Sequence, residues 1–280
     1  MERKVAVVTG TSSGFGLLTA LELAKREYDV IATMRNVDAR FNLVEEAKRI
    51  GVANRIQVHQ LDVTSEESMK QFLPALEELQ QVHVLVNNAG YAAGGFVEEI
   101  PLEEYKRQFE TNLFGVIRVT QAVLPFMRKQ RYGKIINMSS ISGRIGFPGI
   151  SPYVASKHAL EGWSECLRLE VKPFGIEVIL IEPGSYKTNI WSSGKHITEA
   201  SESSPYYDYM SQIESYLDKG ESKFGDPKEV AEKIAQIAEQ PNVSLRYPIG
   251  KGVKAGIFFK QLVSWKQWER LVLQRLHKKM

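Results

Sequence analysis

Short runs of β-branched and aliphatic residues alternate along this chain with longer stretches in which apolar positions recur every three or four residues. The first run, residues 4–9, is unbroken from Val5 to Val8, as expected of a strand buried on both faces of a parallel sheet. Residues 14–26 follow with Leu17, Leu18, Leu21, Leu23 and Ala24 on or near one helix face. The same rhythm predicts strands at 29–34, 55–61, 82–87, 134–138, 176–181 and 245–247. Helices are predicted at 38–50, 65–79, 102–131, 152–174 and 226–239, with Ser65 capping the second of these and Pro125 interrupting the third. Alternation of this kind builds a parallel sheet covered by helices on both faces. With no repeat, linker or low-complexity tract, residues 1–280 read as one doubly wound α/β domain.

In an open parallel sheet a ligand lies beyond the carboxyl ends of the strands, so the residues after each strand carry the functional information. After the first comes Gly10-Thr11-Ser12-Ser13-Gly14-Phe15-Gly16, leading straight into a helix. Glycines allow a tight turn and close backbone approach there, and the amino end of the helix attracts a phosphate. The second strand ends Ala32-Thr33-Met34-Arg35-Asn36. Met34 stands where an acid would grip the ribose hydroxyls of NAD. The Arg35 guanidinium beside it suits a 2′-phosphate, with the Ser12 and Ser13 hydroxyls in support. NADP is thereby favoured, with NAD as the second choice. Later strands end Leu61-Asp62-Val63, Asn87-Asn88-Ala89-Gly90, Ser139-Ser140 and Glu182-Pro183-Gly184, small or polar each time.

Tyr153 and Lys157 are four apart in a helical segment, so both side chains leave the same face. An ammonium near a phenol favours the phenolate and draws its pKa toward the working range of a general acid/base. Taken with Thr9-Gly10-x-x-x-Gly14-x-Gly16, Asp62, Asn87-Asn88-Ala89-Gly90, Asn112, Ser140 and Pro183-Gly184 with Thr188, this pair makes the sequence resemble the short-chain dehydrogenase/reductase family over residues 4–250. The Gly10–Gly16 turn and Arg246-Tyr247-Pro248-Ile249-Gly250 look most similar to its steroid- and retinoid-handling branch.

The resemblance implies a Rossmann domain with a seven-stranded parallel sheet in the order 3-2-1-4-5-6-7, and a nicotinamide-dependent oxidoreductase acting on an alcohol/carbonyl pair. By this likeness Tyr153 is the acid/base, Ser140 holds and polarises the substrate oxygen, and Lys157 binds the nicotinamide ribose. Asn112 helps hold a water for proton relay. The cofactor is expected on Gly10, Ser12, Ser13, Gly14, Phe15, Gly16 and Arg35, with its adenine at Asp62 and Val63 and its adenosine ribose side at Asn87, Ala89 and Gly90. Pro183, Gly184, Tyr186 and Thr188 are expected at the carboxamide or phosphates, although Tyr186 replaces the family's small aliphatic residue. Dimers or tetramers through the helices at 102–131 and 153–174 are usual in the family.

Residues 189–224 are polar with several aromatics (Trp191, Tyr206, Tyr207, Tyr209 and Tyr216) and fall where the family has its substrate lid. The aromatics either line an apolar pocket or pack lid helices on the body, and a lipophilic ketone or aldehyde fits the first alternative. Residues 254–280 form a candidate amphipathic helix with the stripe Phe258, Leu262, Trp265, Trp268, Val272 and Leu276. Residues 251–280 carry eight basic side chains against Glu269 alone, whereas the preceding residues hold 28 basic and 32 acidic groups. Packing on the body or closing a pocket is favoured for this tail over a membrane surface. Without a basic stripe on the body, nucleic acid is not an expected partner.

Composition removes several other classes. The single cysteine, Cys166, excludes an internal disulfide, and the five histidines show no metal-ligand spacing. The apolar run near the N-terminus is too short for a signal peptide or a membrane span, so a cytoplasmic setting is expected. Gly10-Thr11-Ser12-Ser13-Gly14 also satisfies the nucleophile-elbow pattern of serine hydrolases, but no acid and histidine follow after later strands. A non-catalytic NADP sensor is the other alternative, and it leaves Ser140, Tyr153 and Lys157 without a role.

Overall fold

A computed structural model describes residues 4–188, 190, 202–221 and 224–276. Seven strands form one parallel sheet: β1 (Lys4–Thr9), β2 (Tyr28–Met34), β3 (Ile56–Gln60), β4 (Val84–Asn87), β5 (Gly133–Met138), β6 (Ile176–Pro183) and β7 (Arg246–Ile249). Their order is β3-β2-β1-β4-β5-β6-β7, as the resemblance implied. The central strands are hydrophobic on both sides because alternate residues feed separate cores. In β1, Ala6 and Val8 join the core beneath α1 (Gly14–Lys25), while Val5 and Val7 join the opposite core. The first core also holds Val230, Ile234 and Ile237 of the helix at Pro227–Glu239. The second takes Met69, Phe72 and Leu76 from α3 (Glu66–Leu79). The helix α2 (Phe41–Arg49) completes the first half of the chain.

The chain order reverses at β1, whose neighbours are β2 on one side and β4 on the other. The crevice above that switch is the ligand position of doubly wound sheets. Two boundaries differ from the sequence expectation. The helical region 102–131 is not interrupted at Pro125, which lies inside an intact helix, α5 (Gly115–Gln130). The break comes earlier, where a wide π turn at Glu110–Phe114 separates α5 from α4 (Leu102–Phe109). Side-chain bonds of Asn112, described below, hold that turn.

The tail is also two helices rather than one. After α6 (Ser151–Val171), α7 (Tyr207–Glu221) and α8 (Pro227–Glu239), the chain forms α9 (Val253–Leu262) and α10 (Trp265–Leu276). Ser264 and Gln267 make a reciprocal capping box that starts α10 afresh, the Ser264 N–H donating to Gln267 Oε1 and the Gln267 N–H to Ser264 Oγ. The break splits the apolar stripe. Val253 and Ile257, which are not part of the stripe, are buried against Ile145, with Trp268 of the stripe packed beside them. Phe258, Leu262 and Trp265 face outward. Among the described residues no helix is long and apolar enough to cross a membrane, and no group of acids, histidines and cysteines could hold a metal.

Candidate active site

The amino end of α1 forms a tight glycine cradle. Gly10 has φ +70°, and a β-carbon on it would lie 2.8 Å from the Ala89 backbone. One on Gly16 would collide with the Gly10 carbonyl and the Asn88 amide. Asn88, which the sequence reading left without a role, ties the turn together: its Nδ2 donates to the carbonyls of Thr9 (2.9 Å) and Gly10 (3.0 Å). Thr9 Oγ1 in turn accepts the backbone N–H groups of Asn88 and Ala89, so β1 and β4 are locked at their carboxyl ends. Ser13 is the N-cap of α1, yet its side chain makes no capping bond, which leaves first-turn N–H groups for a ligand. Thr188 borders the same turn, 3.8 Å from the β-carbon position of Gly14. Arg35 is exposed at the end of β2, with Gln60 donating to its carbonyl.

Around this cradle most of the expected cofactor residues gather, some through backbone only. Asp62 Oδ1 accepts the Thr64 N–H and hydroxyl, which shapes the turn after β3. Val63 is buried against Gly115. The Asn87 amide is buried and donates to Thr120 and Asn137, so its nitrogen is committed within the sheet. Its Oδ1 is buried without a partner and lines a small hollow with Thr9, Val63 and Ala89. Gly184 sits under Val253 of α9. Tyr186 is accommodated by the glycines it meets: its ring fills the space beside Gly225 and Gly250, stands edge-on to Phe15, and its hydroxyl donates to Glu229 at 2.9 Å. The bulky residue thus turns away into the core and leaves its backbone for a ligand.

Across the sheet, α6 supplies the reactive groups. Pro152 opens the helix, and Tyr153, Ser156, Lys157, Leu160, Glu161 and Ser164 form its buried face at helical spacing. Ser140 lies at the end of β5 as the N-cap of a 3-10 turn at Ile141–Gly143, its Oγ accepting the Ser142 N–H at 3.1 Å. It also hydrogen-bonds the Tyr153 hydroxyl. Lys157 Nζ donates to the carbonyl of Met138 (2.7 Å) and lies 5.6 Å from the centroid of the Tyr153 ring. Asn112 donates from Nδ2 to the Tyr91 carbonyl (3.0 Å) and to Ser156 Oγ (3.1 Å) and accepts the Tyr91 N–H. Both of its amide hydrogens are thereby used, so those N–H groups do not hold the relay water expected of this residue.

The electrostatics correct one expectation. The Tyr153 phenol stands above its ordinary value rather than below it. Burial pushes the phenol up to about 12, with the Ser140 hydroxyl working in the opposite direction. The same burial lowers Lys157 to about 8, against a pull upward from Glu161. Both shifts have one cause: in the interior the charged form of each group is disfavoured.

A phenol, a serine hydroxyl and an ammonium gathered at the carboxyl end of β5 suit proton transfer to an oxygen. The profile of the short chain dehydrogenase family matches residues 4–197. The chain belongs to the short-chain dehydrogenase/reductase family. It is an oxidoreductase of the CH–OH/C=O class. An uncharacterized oxidoreductase, YusZ of Bacillus subtilis, is 50% identical over 279 residues and covers 99% of both chains. A 3-ketodihydrosphingosine reductase of Bacteroides thetaiotaomicron is 36% identical over 267 residues, covering 95% of this chain and 94% of its own. Among solved structures, an actinorhodin polyketide ketoreductase with NADPH is 32% identical with a TM-score of 0.77, covering 90% of this chain and 97% of its own. Members of the short-chain dehydrogenase/reductase family bind NAD(P).

Of the aromatics between 189 and 224, Trp191 and the side chain of Tyr216 lie outside what the structure describes. Tyr206 stacks on Phe96 with ring centroids 4.4 Å apart, and Tyr209 lies 5.3 Å from the same ring. The Tyr206 hydroxyl donates to Glu98 at 2.7 Å. These two tyrosines pack their segment on the body. Met210 and Ile213 of α7 reach toward Gly149 beyond the 3-10 turn.

Proposed function

We propose that the chain interconverts a lipophilic ketone or aldehyde with its alcohol, using NADP(H) and Tyr153 as general acid/base. The observation that carries this reading is the convergence of Ser140, Tyr153 and Lys157 at the carboxyl end of β5. When bound, the nicotinamide cofactor supplies the hydride for the carbonyl carbon, or accepts it in reverse. Ser140 and Tyr153 donate to the substrate oxygen, and these bonds strengthen as charge accumulates on it. The Tyr153 hydroxyl gives its proton to that oxygen, and the Lys157 ammonium stabilises the phenolate left behind. Burial keeps the phenol protonated near neutrality, the form that reduction uses.

NADP is supported over NAD by Arg35, exposed beside the ribose position, and by the free capping hydroxyl of Ser13. A lipophilic substrate is supported by Met210 and Ile213 over Gly149 and by the buried Ala92 and Ala93 after β4. Two similar proteins are ketone reductases by name, the 3-ketodihydrosphingosine reductase and the polyketide ketoreductase. Phe114 and Leu169, both exposed, support a homo-oligomer through the helices at 102–131 and 153–174.

Fluorescence titration with NADPH and NADH tests the cofactor. Tighter NADPH binding is expected, and Arg35→Ala should weaken NADPH about tenfold, the equivalent of one charge-assisted contact, without changing NADH. Equal affinities for the two cofactors would remove the 2′-phosphate argument. Tyr153→Phe tests the chemistry in a carbonyl-substrate screen. Turnover should fall at least about a hundredfold with NADPH affinity kept. Undiminished turnover would remove Tyr153 from the mechanism, and cofactor binding with no turnover by the unaltered protein on any carbonyl would favour the NADP sensor.

A further inference from the structure

Behind Lys157 lies a buried ionic cluster that the reaction described above does not use. Glu161, one helical turn after Lys157, is buried and holds two partners at once. Its Oε1 accepts the Ser139 hydroxyl at 2.5 Å, and its Oε2 accepts Arg246 Nε at 2.8 Å. Arg246 also reaches Glu165 (2.5 Å) and Glu182 (3.3 Å), and Arg144 reaches Glu182 at 3.2 Å. Four elements thus meet: β5 through Ser139, α6 through Glu161, the end of β6 through Glu182, and β7 through Arg246. The turn bearing Ser140 closes over them, since a β-carbon on Gly143 would lie 2.7 Å from Ser139 Oγ and 3.0 Å from Glu161 Cγ.

We propose that Glu161 is a positioning residue for the reaction, fixing the Ser139–Ser140 strand end and holding the proton on Lys157, with Arg246, Arg144 and Glu182 as the frame that holds it. This rests on the reading of Ser140, Tyr153 and Lys157 given above. The charged groups around Glu161 are Lys157 and Glu165 on its own helix, Glu182 from β6, Arg246 from β7 and Arg144 from the turn after β5. A cluster built only for stability would be better served by apolar residues, because burying ions costs desolvation that pairing repays only in part. This one is placed where its charge acts on the catalytic lysine and its hydrogen bond on the residue preceding the catalytic serine. It also gives Arg246, in the Arg246–Gly250 segment, a function.

The sign follows from the charges. The Glu161 carboxylate pulls the Lys157 pKa upward against burial. Removing that charge lets Lys157 lose its proton at lower pH. Burial, and after it the neighbouring Glu161 charge, pushes Glu182 up to about 7 against the pull of Arg144 and Arg246.

The test uses the full chain labelled at the lysine ε-carbons, with Lys157 assigned by its loss in Lys157→Arg, and follows its titration by NMR without substrate. The Lys157 midpoint is expected near 8 in the unaltered protein and lower by about one pH unit or more in Glu161→Gln. Glu161→Asp keeps the charge and should restore the midpoint. Glu165→Gln, on the exposed side of Arg246, should leave it unmoved. A Lys157 midpoint in Glu161→Gln equal to that of the unaltered protein overturns the proposal. In carbonyl reduction, the basic limb of the kcat profile should move to lower pH in the same variant, whereas a merely structural role would depress the whole profile without moving the limb. Should Glu161→Gln fail to fold, Ser139→Ala removes the hydrogen bond and leaves every charge in place. Its kcat should drop about tenfold, the loss of one charge-assisted bond, and an unchanged kcat overturns the positioning role. Because the NMR midpoint needs no turnover, it judges Glu161 separately from the Tyr153→Phe test of the reaction itself.

Discussion

Replacing Gly16 by alanine would drive a methyl group into the Gly10 carbonyl and the Asn88 amide, neither of which has room to move. Asn88 is held by two carbonyls and Gly10 by its left-handed backbone, so the strain has no cheap outlet. Gly16→Ala should therefore cost about 1–3 kcal/mol, the usual range for overpacking, read as a lower urea midpoint, and should weaken NADPH binding because the cradle deforms. A stability and affinity equal to the parent would mean that the close approach at this turn is not real. The glycines themselves were legible in the sequence from their place between the first strand and the first helix. Asn88 was not, because an amide after a strand says nothing about which backbone it will reach. The same is true of Glu161: its spacing from Lys157 is visible in the chain, but Ser139 and Arg246 come to it only through the sheet.

Elements tell a similar story with a different cause. The long helical region 102–131 was legible, but its break was assigned to Pro125 when it falls at Asn112. A proline's missing N–H and ring clash are local and can be absorbed in a helix interior, whereas the π turn at Glu110–Phe114 is held by bonds from Asn112 to Tyr91 and Ser156, residues far away in sequence. In the tail the Ser264–Gln267 capping box was present in the sequence, yet continuous apolar spacing hid it. In the proposed lid, the Phe96 ring and the Tyr206–Glu98 hydrogen bond tie residues 206–209 to the body. Phe96 receives both Tyr206 and Tyr209, and such aromatic pairs contribute about 0.5–1.5 kcal/mol each beyond their buried area. Phe96→Ala should loosen the lid without reaching the cradle. The KM for a carbonyl substrate is expected to rise about three- to tenfold, matching one lost aromatic pair, while the NADPH dissociation constant holds. A KM that does not move would show that the lid is held by other contacts.

At the scale of the molecule, a parallel sheet under helices could be anticipated, since parallel strands buried on two faces leave continuous apolar runs that helices must cover; the strand order came only with the family resemblance. What could not be read is how charge is distributed inside. Buried acids and bases look like solvated ones in a sequence, and only the assembled sheet shows Glu161, Glu182, Arg144 and Arg246 sharing one interior space. That space is closed by the last strand. Without β7, Glu161 lacks its guanidinium partner and Glu182 keeps only that of Arg144. The edge strand of the sheet thus doubles as the counter-ion of the interior: fraying there would uncover not only backbone but two buried carboxylates, and an unpaired ion in the interior is costly.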